Sequence, residues 1–179
     1  DLSFIHNFNN LPDKFDVLIY LAQSNNYNNP EEFKKEIINI NFKNFKNLCT
    51  KLIKGKKLKH IIYASSGSVY KNNCSKIYEY SKLKQINENV YTQSKLLSEN
   101  FLKNIKSKNI TFFIARIFFA YGVEQKKNML IKSLIAKIIS QDIIYLNGLE
   151  GIKINPVHAI DVSRVLEKSI SKQTSGIFN

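Results

Sequence analysis

Short runs rich in apolar residues alternate along the chain with longer segments of mixed polarity. The short runs lie in the segments 15–22, 60–70, 110–117 and 151–158. A continuous apolar run of this length is typical of a strand that is buried on both faces of a sheet. The longer segments with apolar residues at helical spacing lie at about 31–54, 90–106, 129–140 and 161–170. Because strands and helices alternate, the pattern predicts an α/β fold with a doubly wound parallel sheet and helices on both faces.

The segment from about 31 to 54 carries helix signals at both ends. Pro30 and the two glutamates that follow it are typical of a first helical turn, and Gly55 marks the end of the helix. The apolar positions between them cover more than half of the helix circumference, which one sheet cannot bury. We therefore expect a second partner for this surface, and we predict a homodimer formed through this helix and the helix at about 90–106.

Composition places the chain among globular proteins. With 179 residues and 44% apolar residues it suits a single domain with a sizeable core, which excludes a disordered tail. No apolar run reaches the roughly 18 residues that a membrane-spanning helix needs, and the N-terminal residues lack the basic start of a signal peptide. We expect a cytoplasmic enzyme that does not act on a membrane.

Cysteine and histidine give no pattern of a disulfide framework or a metal site. Cys49 and Cys74 have no C-x-x-C spacing, and His6, His60 and His158 are scattered along the chain. We expect reduced thiols and no bound metal.

A formal net charge of +13 raises the question of nucleic-acid binding. Arg116 and Arg164 are the only arginines in the sequence, although arginine is the residue that best reads bases and phosphates. The lysines are spread along the whole chain, which favours a solvated basic surface. Nucleic acid is therefore not an expected partner, although a basic nucleic-acid binder stays open as a further reading.

Candidate chemistry comes from tyrosine and lysine four residues apart, a spacing that places both side chains on one helical face. The sequence holds three such pairs, Tyr78 with Lys82, Tyr80 with Lys84, and Tyr91 with Lys95. In parallel sheets, ligands bind beyond the carboxyl ends of the strands. Ser65, Ser66 and Ser68 lie at such an end, and only the third pair lies on the predicted helix of the following crossover. This placement singles out Tyr91 and Lys95.

The sequence "ASSGSVY", followed 25 residues after Ser66 by a Tyr-x-x-Ser-Lys, resembles the active site of the extended short-chain dehydrogenase/reductases, the NAD-dependent sugar-nucleotide epimerases and dehydratases. Further stretches resemble signatures of this family in the right order, namely "DVLIYLAQ" its H-L-A-A or H-F-A-G strand, "NIN" its N-V-x-G-T helix, and "RIFFAYG" its R-x-F-N-x-Y-G. "INPVHAIDV" and "GIFN" add two more. The resemblance covers essentially the whole chain.

The resemblance implies a catalytic trio in which Tyr91 is the acid/base, Lys95 lowers the pKa of Tyr91 and holds a ribose, and Ser66 orients the substrate. A tyrosine with a pKa of ~10 is a poor base at neutral pH, and a nearby ammonium favours its phenolate. The implied cofactor is NAD, with NADP possible, and the implied substrate is a nucleotide sugar that is oxidised to a 4-keto intermediate. The implied cofactor contacts are Asp1, Leu2, Leu21, Ala22, Gln23, Asn39, Ala64, Ser65, Tyr91, Lys95 and Ile117. The implied substrate contacts are Ser66 and Phe119.

Several departures from the family pattern indicate which parts of the family's domain this sequence contains. The G-x-x-G-x-x-G loop that holds the cofactor pyrophosphate is absent from the sequence, and Asp1-Leu2 resembles the end of the third strand of the family. We therefore expect an interior fragment, in which 1–179 form a partial Rossmann-like domain with the start of the substrate-binding part at about 123–160. Such a fragment is expected to bind NAD poorly. Phe42, Lys71 and Phe119 replace two family glycines and an asparagine.

Some alternatives remain open from the residues alone. The chain could be a noncatalytic relative that keeps the fold as a binding or assembly module. Arg116 suits either a structural role or a phosphate contact, and His158 and Asp161 suit a turn residue and a helix cap. The fate of the keto sugar, whether epimerisation, dehydration or decarboxylation, depends on residues that the sequence does not identify.

Overall fold

The computed structural model describes residues 8, 11–12, 14–26, 29–71, 76–86, 88–107, 109–145 and 154–179. Within these ranges the strands are β1 (Val17–Tyr20), β2 (His60–Ser66), β3 (Thr111–Ile117), β4 (Phe119–Tyr121), β5 (Pro156–His158) and β6 (Gly176–Phe178). The α-helices are α1 (Lys34–Ile38), α2 (Phe45–Lys54), α3 (Val90–Lys103), α4 (Leu130–Ile139) and α5 (Ala159–Lys172). The chain divides into two compact units, one formed by Asp1–Ile117 with Ser169–Asn179 and one by Phe118–Lys168.

The first unit is built on a four-stranded sheet in which all neighbours are parallel, in the order β1-β2-β3-β6. Parallel neighbours need a crossover connection, and the helices between β1 and β2 and between β2 and β3 supply it. This architecture confirms the predicted Rossmann-like α/β fold. The strand β6, formed by the closing residues of the chain, was not among the predicted strands.

Both crossover helices, α2 and α3, pack on the same face of this sheet. The buried residues of this core are Leu18, Tyr20, Phe45, Cys49, Leu52, Leu58, Ile61, Tyr63, Leu102 and Ile114. At its centre the ring of Phe45 lies 4.8 Å from the ring of Tyr20 and 4.6 Å from the ring of Tyr63. Each fully buried side chain of this size contributes about 1.5–3 kcal/mol, so the core fixes both helices relative to the ends of the strands.

The predicted helix at 31–54 is helical from Lys34 to Lys54, but it is not a uniform α-helix. Between α1 and α2 the six residues Asn39–Asn44 form a π-helix, a wider turn that often marks a functional site. Two successive backbone carbonyls of this segment accept hydrogen bonds from tyrosines of the sheet. The Tyr20 hydroxyl donates to the Ile40 carbonyl at 2.5 Å, and the Tyr63 hydroxyl donates to the Asn41 carbonyl at 3.3 Å. Burial raises the pKa of both tyrosines, so they remain donors.

The expectation that the first strand is buried on both faces is wrong for β1. Leu18 and Tyr20 are buried, but Ile19 between them is 45% exposed. The reason is that side chains alternate between the two faces of β1. Only the face that meets α2 is covered by the described residues.

The helix α3 begins and ends through local hydrogen bonds. Asn89 Oδ1 accepts from the Thr92 N–H at 3.1 Å, which caps the first turn. The helix ends at Lys103, three residues before the predicted boundary, because Asn104 leaves helical geometry in a polar stretch. The strand β2 ends at Ser66 and is followed by a short 3₁₀ turn over Gly67–Val69, among the small and hydroxyl residues that the sequence places at the carboxyl end of this strand.

The second unit contains a parallel pair of short strands, β4 and β5, together with α4 and most of α5. The predicted strand at 151–158 is seen at Pro156–His158, and 151–153 lie outside the described residues. His158 Nδ1 accepts from the Ile160 N–H at 3.2 Å, which agrees with a turn residue at the start of α5. The predicted substrate-binding segment, 123–160, lies within this unit. None of the described helices is long and apolar enough to cross a lipid bilayer.

Candidate active site

Lys95 is a buried cation at the carboxyl end of β2. Its side chain is 2% exposed, and its Nζ donates to the carbonyl of Ala64 at 2.9 Å. The ammonium also lies 5.3 Å from the ring centroid of Tyr63 and 5.6 Å from that of Tyr91. Burial lowers the pKa of Lys95 to about 8, and the nearby Glu99 carboxylate opposes this shift. Lys95 is therefore charged at neutral pH but close to its titration range.

Tyr91 lies one turn before Lys95 on the same face of α3. Its side chain is half-buried, and its hydroxyl donates to Gln23 Oε1 at 3.0 Å. Gln23 follows β1, so this hydrogen bond connects α3 with the segment after the carboxyl end of β1. The predicted pair thus faces the carboxyl edge of the sheet and not bulk solvent.

Ser66 is the last residue of β2 and is in register with Ile117, the last residue of β3. Its Oγ accepts from the Ser68 N–H at 3.1 Å, a bond that leaves the Ser66 O–H able to donate. The same turn approaches the start of α3, since Thr92 Oγ1 lies 3.5 Å from the carbonyl of Ser68. Ser66 therefore lies two residues after Ala64, which contacts Lys95, and beside the turn whose Ser68 carbonyl approaches Thr92 of α3.

The predicted cofactor contacts fall into different environments. Leu21 is exposed, while Ala22 and Gln23 are half-buried, and all three follow the carboxyl end of β1. Ala64 and Ile117 are half-buried at the ends of β2 and β3. Asp1 and Leu2 lie outside the described residues.

Ser65 and Asn39 need separate comment. The Ser65 hydroxyl is buried and donates to Glu99 Oε1 at 2.6 Å, so only its backbone faces the strand end. Asn39 is half-buried at the first position of the π-helix. Phe119, the predicted substrate contact, is a half-buried residue of β4 in the second unit and is in register with Pro156.

Asn41 ties the elements of the site together. This fully buried asparagine accepts from the Ser24 N–H through Oδ1 at 3.0 Å and donates to Ser94 Oγ through Nδ2 at 3.0 Å. Its carbonyl accepts from the hydroxyl of Ser98 at 2.9 Å. One residue thereby fixes the loop after β1, the π-helix and the face of α3 that carries Tyr91.

A buried ion pair lies beneath the site. Arg116 donates through Nε and Nη2 to the two carboxylate oxygens of Glu99, at 3.0 and 2.6 Å, and both side chains are buried. Arg116 Nη1 donates to the Tyr70 hydroxyl at 2.7 Å, and that hydroxyl donates to Asn179 Oδ1 at 2.7 Å. Of the two roles open for Arg116, the structure shows the structural one.

Two residues that organise the site, Asn41 and Glu99, were not predicted from the sequence. Asn41 lies inside the recognised "NIN" stretch, but asparagine usually faces solvent in helices. Glu99 lies one turn after Lys95 on the same helical face, but its spacing from Lys95 and Lys103 also fits an exposed ion pair, so spacing alone does not identify its buried role. Among the described residues, no three histidine, cysteine, aspartate or glutamate side chains could hold a metal ion together.

The sequence was compared with known families and proteins. Over residues 1–179 it matches the sequence profile described as "NAD dependent epimerase/dehydratase family". The chain belongs to this family. A search of curated proteins found no match.

Solved structures of sugar-nucleotide enzymes share the fold at low identity. RMD from Pseudomonas aeruginosa complexed with NADPH is 22% identical with a TM-score of 0.78, covering 94% of this chain and 61% of that chain. UDP-N-acetylglucosamine 4-epimerase from Methanobrevibacter ruminantium is 18% identical with a TM-score of 0.79, covering 92% and 54%. A double mutant of DesIV, a dTDP-glucose 4,6-dehydratase from Streptomyces venezuelae with NAD bound, is 18% identical with a TM-score of 0.75, covering 90% and 50%. The chain therefore spans between half and about three fifths of these proteins.

The described residues fit one end of the family's dinucleotide cofactor. The Lys95 ammonium has three N–H donors, and the Ala64 carbonyl takes one of them. The two remaining N–H donors of Lys95 suit the adjacent hydroxyls of a ribose. The six glycines of the sequence form no G-x-x-G-x-x-G segment, so these residues do not include that pyrophosphate-binding loop.

Proposed function

We propose that this chain carries the catalytic centre of an NAD-dependent sugar-nucleotide epimerase or dehydratase that acts through a 4-keto sugar intermediate. The observation that carries the proposal is the joint placement of Tyr91 and Lys95. Both lie on one face of α3, and the Lys95 ammonium lies within hydrogen-bond distance of the carboxyl end of β2. Ligands of parallel α/β sheets bind at such ends.

In this mechanism Tyr91 is the acid/base. Its phenolate takes the proton of a sugar hydroxyl while the carbon of that group loses a hydride, so the C–OH becomes C=O. The bound cofactor would supply the hydride acceptor for this oxidation and the hydride for the later reduction of the keto group. Tyr91 gives its proton back when the keto group is reduced. The Lys95 ammonium, 5.6 Å from the ring centroid of Tyr91, favours the ionised phenol.

Lys95 and Ser66 position the reactants. Two N–H donors of Lys95 remain beyond the Ala64 contact, and we assign them to the ribose of the cofactor. The Ser66 O–H, held by the turn to Ser68, donates to the substrate oxygen and aligns it with Tyr91. Because Lys95 is 2% exposed, little water screens the field of its ammonium at the phenol.

A homodimer through the helices at 31–54 and 90–106 is part of the proposal. The core takes much of the apolar surface of these helices, but Phe33, Ile38, Phe42 and Leu97 remain half-buried outside it. These side chains suit a symmetric helix contact. Light scattering of the protein tests this point, and a monomer at high concentration would contradict it.

The alternative is a noncatalytic relative that uses the fold for binding or assembly. The two readings differ in chemistry, so incubation with NAD and a panel of nucleotide sugars separates them. The protein used should be the chain together with any sequence that its gene encodes on either side. Accumulation of a 4-keto sugar or an epimer supports the enzyme, and binding of NAD without conversion of any sugar supports the alternative.

A further inference from the structure

Gln23 makes a direct side-chain contact with the proposed catalytic tyrosine. Tyr91 donates its hydroxyl proton to Gln23 Oε1 at 3.0 Å, and both side chains are half-buried. In the family signature that "DVLIYLAQ" resembles, the position of Gln23 is held by alanine or glycine. Neither of these residues has a side chain that can accept a hydrogen bond. This chain therefore adds an amide at a place where the signature has none.

The backbone around Gln23 is fixed, so the contact has a defined geometry. The next residue, Ser24, donates its N–H to Asn41 Oδ1 at 3.0 Å and its hydroxyl to Glu36 Oε1 at 2.6 Å. Asn26 closes the loop by donating its N–H to Ser24 Oγ at 3.1 Å. Asn41 also holds α3 through Ser94, so the same residue places both partners of the contact.

A primary amide can serve both forms of a phenol. Its oxygen accepts from the neutral hydroxyl, as seen here, and its NH₂ group can donate to a phenolate after the amide turns over. We propose that Gln23 is a positioning residue that holds the Tyr91 oxygen in place in both protonation states. The proposal rests on the proposed role of Tyr91 as acid/base. A carboxylate at this position could only accept, and it would therefore favour the neutral phenol.

The charged and titratable groups on the elements around this contact stay constant in the comparison. Lys95 faces it from the same helix, and Tyr63 faces the Lys95 ammonium from β2. Glu99 lies further along α3, and Glu36 lies on α1 behind the Gln23 loop, where Ser24 and Asn26 hold its carboxylate. Gln23 is uncharged, so it acts through its hydrogen bond and not through a charge.

The test measures the ionisation of Tyr91 directly, by nuclear magnetic resonance of protein labelled with ¹³C at the tyrosine ring. Tyr91→Phe identifies the signal of Tyr91. We expect Gln23→Glu to move the ionisation of Tyr91 upward by about one pH unit or more, because the carboxylate repels the phenolate. Gln93→Glu is the matched control, since it adds the same charge on α3 without this hydrogen bond, and its shift should be clearly smaller.

Gln23→Met serves as the second variant, because it keeps the length of the side chain but can neither accept nor donate strongly. We expect it to lower kcat several-fold and leave KM for the sugar nearly unchanged, while Gln23→Asn recovers part of the loss. An unchanged Tyr91 titration in Gln23→Glu would overturn the inference, even if Tyr91→Phe abolishes turnover. A shifted titration with full turnover in Tyr91→Phe would instead overturn the proposed function and leave the Gln23–Tyr91 pairing standing.

Discussion

The Lys95 ammonium donates to the carbonyl oxygen of Ala64, 2.9 Å away, across the gap between α3 and β2. This bond compensates part of the cost of burying a charge, because the carbonyl replaces one water molecule of the ammonium. The compensation is incomplete, since burial still lowers the pKa of Lys95 to about 8. The proposed mechanism needs Lys95 as a cation, and keeping this cation buried costs the folded state free energy.

This cost gives stability a defined pH dependence. The pKa of Lys95 is lowered from 10.5 in the unfolded chain to about 8, so between these values the unfolded state binds more protons. Stability from this group therefore rises as pH rises from about 8 to 10.5. Relative to Lys95→Met, the free energy of unfolding of the wild type should increase by up to about 3 kcal/mol over that window.

Urea unfolding of both proteins at a series of pH values measures this difference. Lys106→Met is the control, because Lys106 lies exposed beyond the end of α3. The difference between the wild type and this control should stay flat over the same window. If the difference in unfolding free energy between the wild type and Lys95→Met were also independent of pH, Lys95 would not be buried as described.

The Glu99–Arg116 pair predicts a large and asymmetric loss of stability. Arg116→Met removes both bonds to the buried carboxylate and should cost about 3–5 kcal/mol of unfolding free energy, because a buried charge is left without its partner. Adding Glu99→Leu should restore much of the loss. Chemical denaturation measures both steps.

An exposed pair provides the comparison for this prediction. Arg164 donates to Asp161 at 3.1 Å, and the two side chains are 73% and 59% exposed. Arg164→Met should cost less than about 1 kcal/mol. Equal losses in Arg116→Met and Arg164→Met would contradict the description of a buried network.

Asn41 should affect both stability and activity. Asn41→Leu keeps the volume but leaves the Ser24 N–H and the Ser94 hydroxyl without their amide partner, which should cost about 2–3 kcal/mol. Turnover should fall more than stability alone explains, because the loop of Gln23 and the helix of Tyr91 lose their common anchor. Asn100→Leu, an exposed change on α3, is the control. Full turnover in Asn41→Leu would remove Asn41 from the positioning role.

The sequence predicts the framework of this fold because the framework depends on local patterns. The runs around Leu18, Ile61 and Ile114 read as strands because they are apolar and short, and each of these residues lies in the observed core. Tyr91 and Lys95 are singled out among three equally spaced pairs only when the strand and helix order is added. The spacing itself carries too little information.

Other features depend on contacts between distant residues. Glu99 lies between Lys95 and Lys103, a spacing that suggests an exposed helix pair, while its main partner is Arg116 on β3. The π-helix Asn39–Asn44 is only six residues long, which is too short to change the pattern of apolar positions in the sequence. The exposure of Ile19 depends on which elements cover that face of the sheet, and the local sequence around Ile19 does not indicate this.

The central claim is that Tyr91 is the acid/base of a sugar oxidation, and a pair of tyrosine variants tests it most directly. The assay follows formation of the 4-keto sugar from a panel of nucleotide sugars, in the protein with any sequence that its gene encodes on either side. Tyr80→Phe is the control, because Tyr80 also precedes a lysine by four residues but is 83% exposed. We expect Tyr91→Phe to lose at least about 100-fold in kcat and to keep its affinity for NAD, while Tyr80→Phe matches the wild type. Equal turnover in Tyr91→Phe and Tyr80→Phe would contradict the role of Tyr91 as the acid/base.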